Sequence, residues 1–245
     1  MYATVQATFA NNALDVERLI DFDRDVVQIM IDSLEMLKKD VPPQLHSFAR
    51  RIDRAATVVT DIRNNDSLKS KYGTVCNQAV VLLVSHFSSA IGDLFRKAVT
   101  AALDREGHDA LLNEELKLTF KEMQDRNWDL KNSAADLLIA KKDLTFQDMQ
   151  STVRAFDSYV GIEIIRDQCI NNIILGQAAR HVIVHTSARA TDRMLKQVSK
   201  ANPRTLKRNI EPDEALVFFK EEVLELKSEM IKFVHRLVTE LESKA

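Results

Sequence analysis

Two histidines and an arginine stand at the end of one of the most apolar stretches of the chain. In GQAARHVIVHTSARATDRMLKQ, residues 176 to 197, Arg180, His181 and His185 flank the run Val182-Ile183-Val184. Imidazole titrates at about pH 6.5 and can take or give a proton near neutrality. Guanidinium stays charged and offers a planar fork of donors that matches phosphate. Together they suit proton transfer beside a developing phosphate charge. The same residues admit two other readings. Histidines four apart share one face of a helix, as zinc sites require. However, the metalloprotease pattern needs a glutamate directly after the first histidine, and that position is Val182. No third ligand has recognisable spacing, so no metal is expected. The remaining reading is a buried helix that simply ends here, with the histidines hydrogen-bonded at its C-terminus. Neither a Gly-rich phosphate loop nor a serine hydrolase elbow occurs, and no cofactor is expected.

The charge around these residues is uneven. From Arg180 to Arg208, eight basic residues (Arg180, Arg189, Arg193, Lys196, Lys200, Arg204, Lys207 and Arg208) face one acid, Asp192, giving +7 over 29 positions. The rest of the chain holds 26 basic and 35 acidic residues, a balance of −9. A local positive field on an acidic protein attracts phosphate there and repels it elsewhere. Equally, these cations can pair with acids of the C-terminal helix.

Helices must position this segment. Leu14, Leu19, Val26, Ile29, Met30, Leu34 and Leu37 predict a helix over 11–40, closed by Val41-Pro42-Pro43. A second is expected over 44–63, with Asp66 or Ser67 capping a third over 67–104 that reads as apolar almost all round and central. Shorter pieces are expected near 113–126 and 130–141. Residues 158–184 are rich in isoleucine and valine, which favours strand. Yet Ile162, Ile165, Cys169, Ile173, Leu175, Ala179 and Val182 step mostly by three or four, and the run exceeds strand length, so it is read as one helix. A last helix is expected from Glu211-Pro212, its stripe running from Leu216 and Phe219 to Leu237. That stripe can be buried within the chain or form a subunit seam.

With 245 residues, 45% hydrophobic and 29% charged, the chain can bury a sizeable core. Five glycines and four prolines leave few turn signals and argue against a β-rich fold. The start, MYATVQATFANN, does not read as a signal peptide, and no window approaches 18 uninterrupted apolar residues. Cys76 and Cys169 lie in apolar runs without metal spacing and read as reduced thiols of a cytoplasmic protein. One all-α domain over 1–245 is expected, with 1–45 a helical extension packed on it.

Arg180, four intervening residues and His185 resemble the Arg-x4–6-His motif of the HEPN superfamily. ARHVIVHTSARATDRMLKQ is similar to the surroundings of that motif in the RiboL-PSP type of HEPN domain. The stretch from Arg54 to Phe95 is similar to that subgroup's earlier helices, so the resemblance spans about residues 50 to 240. It implies an up-and-down HEPN-like bundle with additional long N-terminal and C-terminal helices. The implied activity is metal-independent RNA cleavage, in a toxin or anti-phage defence effector, by attack of the 2′-hydroxyl on the neighbouring phosphate. His185 would then be the acid or base, Arg180 the phosphate clamp and His181 a partner that orients the site or donates a proton. Thr186, Ser187, Arg189, Arg193 and Lys196 would contact RNA. One Arg–His pair is thin for such a reaction, and the family resolves this by forming a homodimer with a composite site. An antitoxin or regulatory protein is a further implied partner.

Two departures stand out. His181 occupies a position where many relatives carry asparagine, and Ser187 stands where toxins silenced by nucleotidyltransferases carry the modified tyrosine. The alternatives are a catalytically silent HEPN module that binds RNA or a protein, and a structural helical protein whose basic segment pairs with its own acids.

Overall fold

The first helix begins ahead of the apolar spacing that predicts it. The computed structural model describes residues 1–42, 45–64, 69–104 and 109–244; for 23–24, 62–64, 69–72 and 109–110 it describes the backbone alone. Helix α1 spans Ala3–Lys39, starting eight residues before the expected boundary at 11. Tyr2, Val5, Phe9, Ala13, Val16 and Ile20, spaced by three or four, are buried in the core and hold that first part. Asp40 ends it, its N–H bonding the carbonyls of Leu37 and Lys38. The capping positions Asp66 and Ser67, like Pro43, fall outside the described residues.

Among the described residues there are ten helices and no strand: an all-α fold. After α1 come α2 (His46–Asn64), α3 (Lys69–Ala102), α4 (Asp109–Leu112), α5 (Phe120–Gln124) and α6 (Leu130–Lys141). Then follow α7 (Met149–Val160), α8 (Gln168–His185), α9 (Asp192–Ser199) and α10 (Lys220–Ser243). Helix α3 is the axis, with α1, α6, α7, α8 and α10 against it. Gly73–Ala102 within it is long and apolar enough to cross a membrane, but its most apolar 18-residue window, of mean hydropathy 1.4, is 56% buried inside the protein. Phe87 meets Phe9 of α1 and Phe233 of α10 edge-on at 5.9 and 5.7 Å. Phe95 meets Phe156 of α7 at 5.5 Å and Phe146 at 5.1 Å. Each such pair adds about 0.5–1.5 kcal/mol beyond burial, so α3 is fastened at two levels. Helix α1 also packs on α2 and α10, and its Leu19, Phe22, Val26, Ile29 and Met36 are exposed apolar side chains.

Four expectations are corrected. Residues 113–126 do not form one helix: only Phe120–Gln124 does, because Thr119 and Glu122 cap each other's backbone and start a new element. Residues 158–184 are two helices, not one. Gly161 ends α7 at φ 70°, its N–H and that of Ile162 returning to the last turn, and the Asp167 carboxylate accepts from the Ile170 N–H to start α8. The last helix starts at Lys220, not at Pro212, because Glu222 accepts from the Phe219 N–H. Leu216 and Phe219 therefore precede it; Leu216 N–H bonds the Ala188 carbonyl instead. Finally, α3 is not apolar all round, since Ser85, Ser88, Ser89, Gly92 and Arg96 line one side of it.

Helix α10 packs tightly on α8. A Cβ on Gly176 would stand 2.8 Å from Leu226 Cδ2, so glycine permits the close crossing. The chain between them, 186–219, is tied down in its middle and near its C-terminal end. Asn77 of α3 donates to the Leu216 carbonyl at 2.8 Å and accepts from the Phe218 N–H at 2.9 Å. Asn172 of α8 accepts from the Thr205 and Leu206 N–H groups and donates to the Thr205 hydroxyl at 2.8 Å. Cys76 and Cys169 are buried thiols. Burial, with a hydrogen bond to the Glu229 carbonyl, pushes the Cys169 thiol up to about 12, so it stays protonated.

Candidate functional site

The end of α8 projects Arg180 and His181 into a groove of about 630 Å³. Helix α3 supplies one wall with Ser85, Ser88, Ser89 and Gly92, and the loop 144–148 before α7 supplies another. Helix α9 closes the third side with Arg193, Met194 and Gln197. Gly92 shapes this wall, because a Cβ there would come within 3.3 Å of both Phe146 and Arg96.

Two turns of chain fix the orientation of these side chains. Helix α8 is buried through Ala179 and Val182, so its rim residues cannot roll. It ends at Thr186, whose N–H and that of Ala188 both bond the Val182 carbonyl, at 2.9 and 3.0 Å. Ser187 and Ala188 turn through the left-handed region at φ 52° and 60°, which reverses the chain at some strain. Thr191 then caps α9, and Met194 and Val198 anchor it so that Arg193 and Gln197, one turn apart, face the groove.

The electrostatics are one-sided. Arg180 and Arg193 form no ion pair among the described residues, whereas Arg96 is held by Asp136 at 2.8 Å and Asp93 at 3.2 Å. Asp148, the acid on the rim, accepts from the Ser151 N–H at 2.8 Å as the cap of α7. His181 and His185 stand with ring centroids 4.8 Å apart at an interplanar angle of 51°. Partial loss of water, then electrostatic interaction with His185, Arg193 and Arg180, hold His181 below the usual histidine range. A neutral imidazole beside two uncommitted arginines can accept a proton while the arginines bind an anion.

The expected site residues separate into two groups. Arg180, His181 and Arg193 come together on the groove. His185 touches His181 but does not line the groove, and its side chain is exposed. Thr186 is engaged in the turn, its hydroxyl 3.0 Å from the carbonyls of Val182 and Arg189. Arg189 binds the carboxylate and the carbonyl of Asp213 at 3.2 and 2.9 Å. Ser187 and Lys196 are exposed away from the groove lining.

The rest of the basic segment is partly structural. Arg204 donates to the carbonyls of Val198, Ala201, Lys207 and Arg208 and to Asn202 Oδ1, and burial lowers its ordinary pKa. Lys207 pairs with Glu222 at 2.9 Å, donates to the Val217 carbonyl and lies over the rings of Phe218 and Phe219. The pairing reading holds for Lys207, whose partner Glu222 lies on α10; Arg189 pairs with Asp213 ahead of that helix, and Arg180 and Arg193 have no acidic partner among the described residues. Sequence reasoning missed Gln177, Gln197 and the α3 serines. A signal existed in HFSSAIGD, where small and polar residues recur at helical spacing inside an apolar helix. Among the described residues, no cluster of three histidine, cysteine, aspartate or glutamate side chains is placed to hold a metal ion.

Compared with known protein families, with curated proteins and with solved structures, the chain matches none.

Proposed function

We propose that the chain is a HEPN-type endoribonuclease that cleaves RNA without a metal, a cytoplasmic toxin or defence effector acting on cellular or phage RNA. The observation that carries this reading is the meeting of Arg180, Arg193 and His181 on one groove, with His185 in contact with His181. The two arginines clamp the scissile phosphate and take up the charge that develops on it. His181, neutral near pH 7, takes the proton of the ribose 2′-hydroxyl, and the 2′-oxygen attacks the adjacent phosphorus. The bond to the 5′-oxygen breaks, and that oxygen receives a proton from His185, where RNA passes from the groove over the end of α8. The products are a 2′,3′-cyclic phosphate and a 5′-hydroxyl. In a homodimer, a second Arg–His pair completes the composite site, and an antitoxin or regulatory protein restrains it.

A second reading is favoured by one observation: His185 lies outside the groove lining. A phosphate bound between Arg180 and Arg193 would then be held without a proton donor, and the chain would bind RNA or a protein partner without cutting it. Incubating purified protein with RNA in EDTA separates the two. Cleavage that persists with chelator and is lost in Arg180→Ala and His185→Ala supports the nuclease. Binding without cleavage, weakening steeply as salt rises, supports the second reading.

A further inference from the structure

We propose that Gln177 makes the groove a nucleobase subsite that reads the hydrogen-bonding edge of an unpaired nucleotide next to the bound phosphate. This rests on the RNA-binding reading of the same groove.

Gln177 lies on α8 one turn before Arg180 and His181, contributes to the groove lining, and is 4% exposed; its amide atoms are closed to solvent, so a ligand meets them once the side chain turns toward the groove. Neither Oε1 nor Nε2 of its amide has a hydrogen-bond partner in the protein. Buried amides are nearly always paired, and an unpaired one costs folding free energy. The same helix shows the ordinary behaviour: Asn171 donates to the Pro203 carbonyl at 2.9 Å and accepts from Arg166 at 2.8 Å. Asn172 is satisfied by Thr205 and Leu206. Leucine or methionine would fill the Gln177 position without the penalty, so a polar side chain there is a local fault of the kind found at binding sites.

The chemistry of the amide narrows the ligand. A phosphate oxygen satisfies the N–H donor and repels the adjacent carbonyl oxygen. A nucleobase edge presents a donor beside an acceptor and satisfies both at once. That edge is available in a single strand and already paired in a duplex, so the ligand is an unpaired nucleotide. The groove, about 630 Å³, has room for one, with Arg180 and Arg193 in its lining for the phosphate.

The test is calorimetric titration of the whole chain with the 3′-monophosphates of adenosine, cytidine, guanosine and uridine. Wild type is expected to prefer one base over the others by about tenfold. Gln177→Leu and Gln177→Met should bind all four within about twofold and melt no lower than wild type. Arg180→Ala should weaken all four alike and keep the preference. Equal binding of the four by wild type, or an unchanged preference in Gln177→Leu, would overturn the subsite and leave RNA binding standing. A lower melting temperature in both Gln177 variants would show that the amide serves the fold, which also contradicts the proposal. Failure of wild type to bind any of the four would remove the RNA-binding reading as well.

Discussion

The cations of α8 and α9 differ from those of the 200–219 segment in what their donors touch. Arg180 and Arg193 line an open groove and have no acidic partner among the described residues. Arg204 and Lys207 point inward, onto backbone carbonyls, aromatic faces and Glu222. In the sequence these residues belong to one +7 block. In three dimensions the block divides into groups that can bind an anion and groups that hold a segment in shape. A local charge count therefore overstates the field a substrate meets.

Breaking each side of this division should give opposite phenotypes. The largest effect is expected from Arg180→Ala, which should lower the RNA cleavage rate by roughly 100-fold or more, the usual loss when one preorganised charge contact goes. Its urea denaturation midpoint should stay near that of wild type. Arg204→Ala should do the reverse. Its partly buried guanidinium serves four carbonyls, and leaving them unpaired should cost about 2–3 kcal/mol in urea unfolding, with RNA affinity per folded molecule unchanged. Gly176→Ala probes the crossing that carries α8, because its Cβ would press on the fully buried Leu226. A loss of about 1–3 kcal/mol is expected by thermal denaturation.

A subtler test concerns His181. Its folded pKa lies below the usual histidine value, so the unfolded chain binds this proton first as pH falls. The stability tied to this ring is present above about pH 6.5 and is lost as pH drops through the folded value. A phosphate between Arg180 and Arg193 adds negative charge and should move that titration upward. NMR titration of the imidazole with and without a nucleoside monophosphate would show it; a fixed value would place the anion elsewhere. Arg189→Ala should have the smallest effect, under about 1 kcal/mol in urea unfolding, because its ion pair with Asp213 is largely exposed.

Helical periodicity made the all-α class legible, and the boundaries of α6 follow from the sequence as expected. What periodicity could not see were interruptions made by single residues. Gly161 turns left-handed inside an unbroken run of spaced isoleucines, and Asp167 restarts the helix. Asn77 and Asn172 hold the 200–219 segment through contacts far apart in the chain, so Leu216 carries a helical spacing without helical structure. At the site, Arg180 and His181 were legible from residue type. Gln177 was not, because its significance lies in lacking partners, which only the packed structure reveals.

The proposed cleavage of RNA by Arg180 and the two histidines needs no metal. The direct measurement is the chemistry of the product ends after wild-type protein is incubated with single-stranded RNA in excess EDTA. A HEPN-type nuclease should leave 2′,3′-cyclic phosphate and 5′-hydroxyl ends, absent with folded Arg180→Ala. Ends carrying 5′-phosphate, or no cleavage under these conditions, would contradict the proposal.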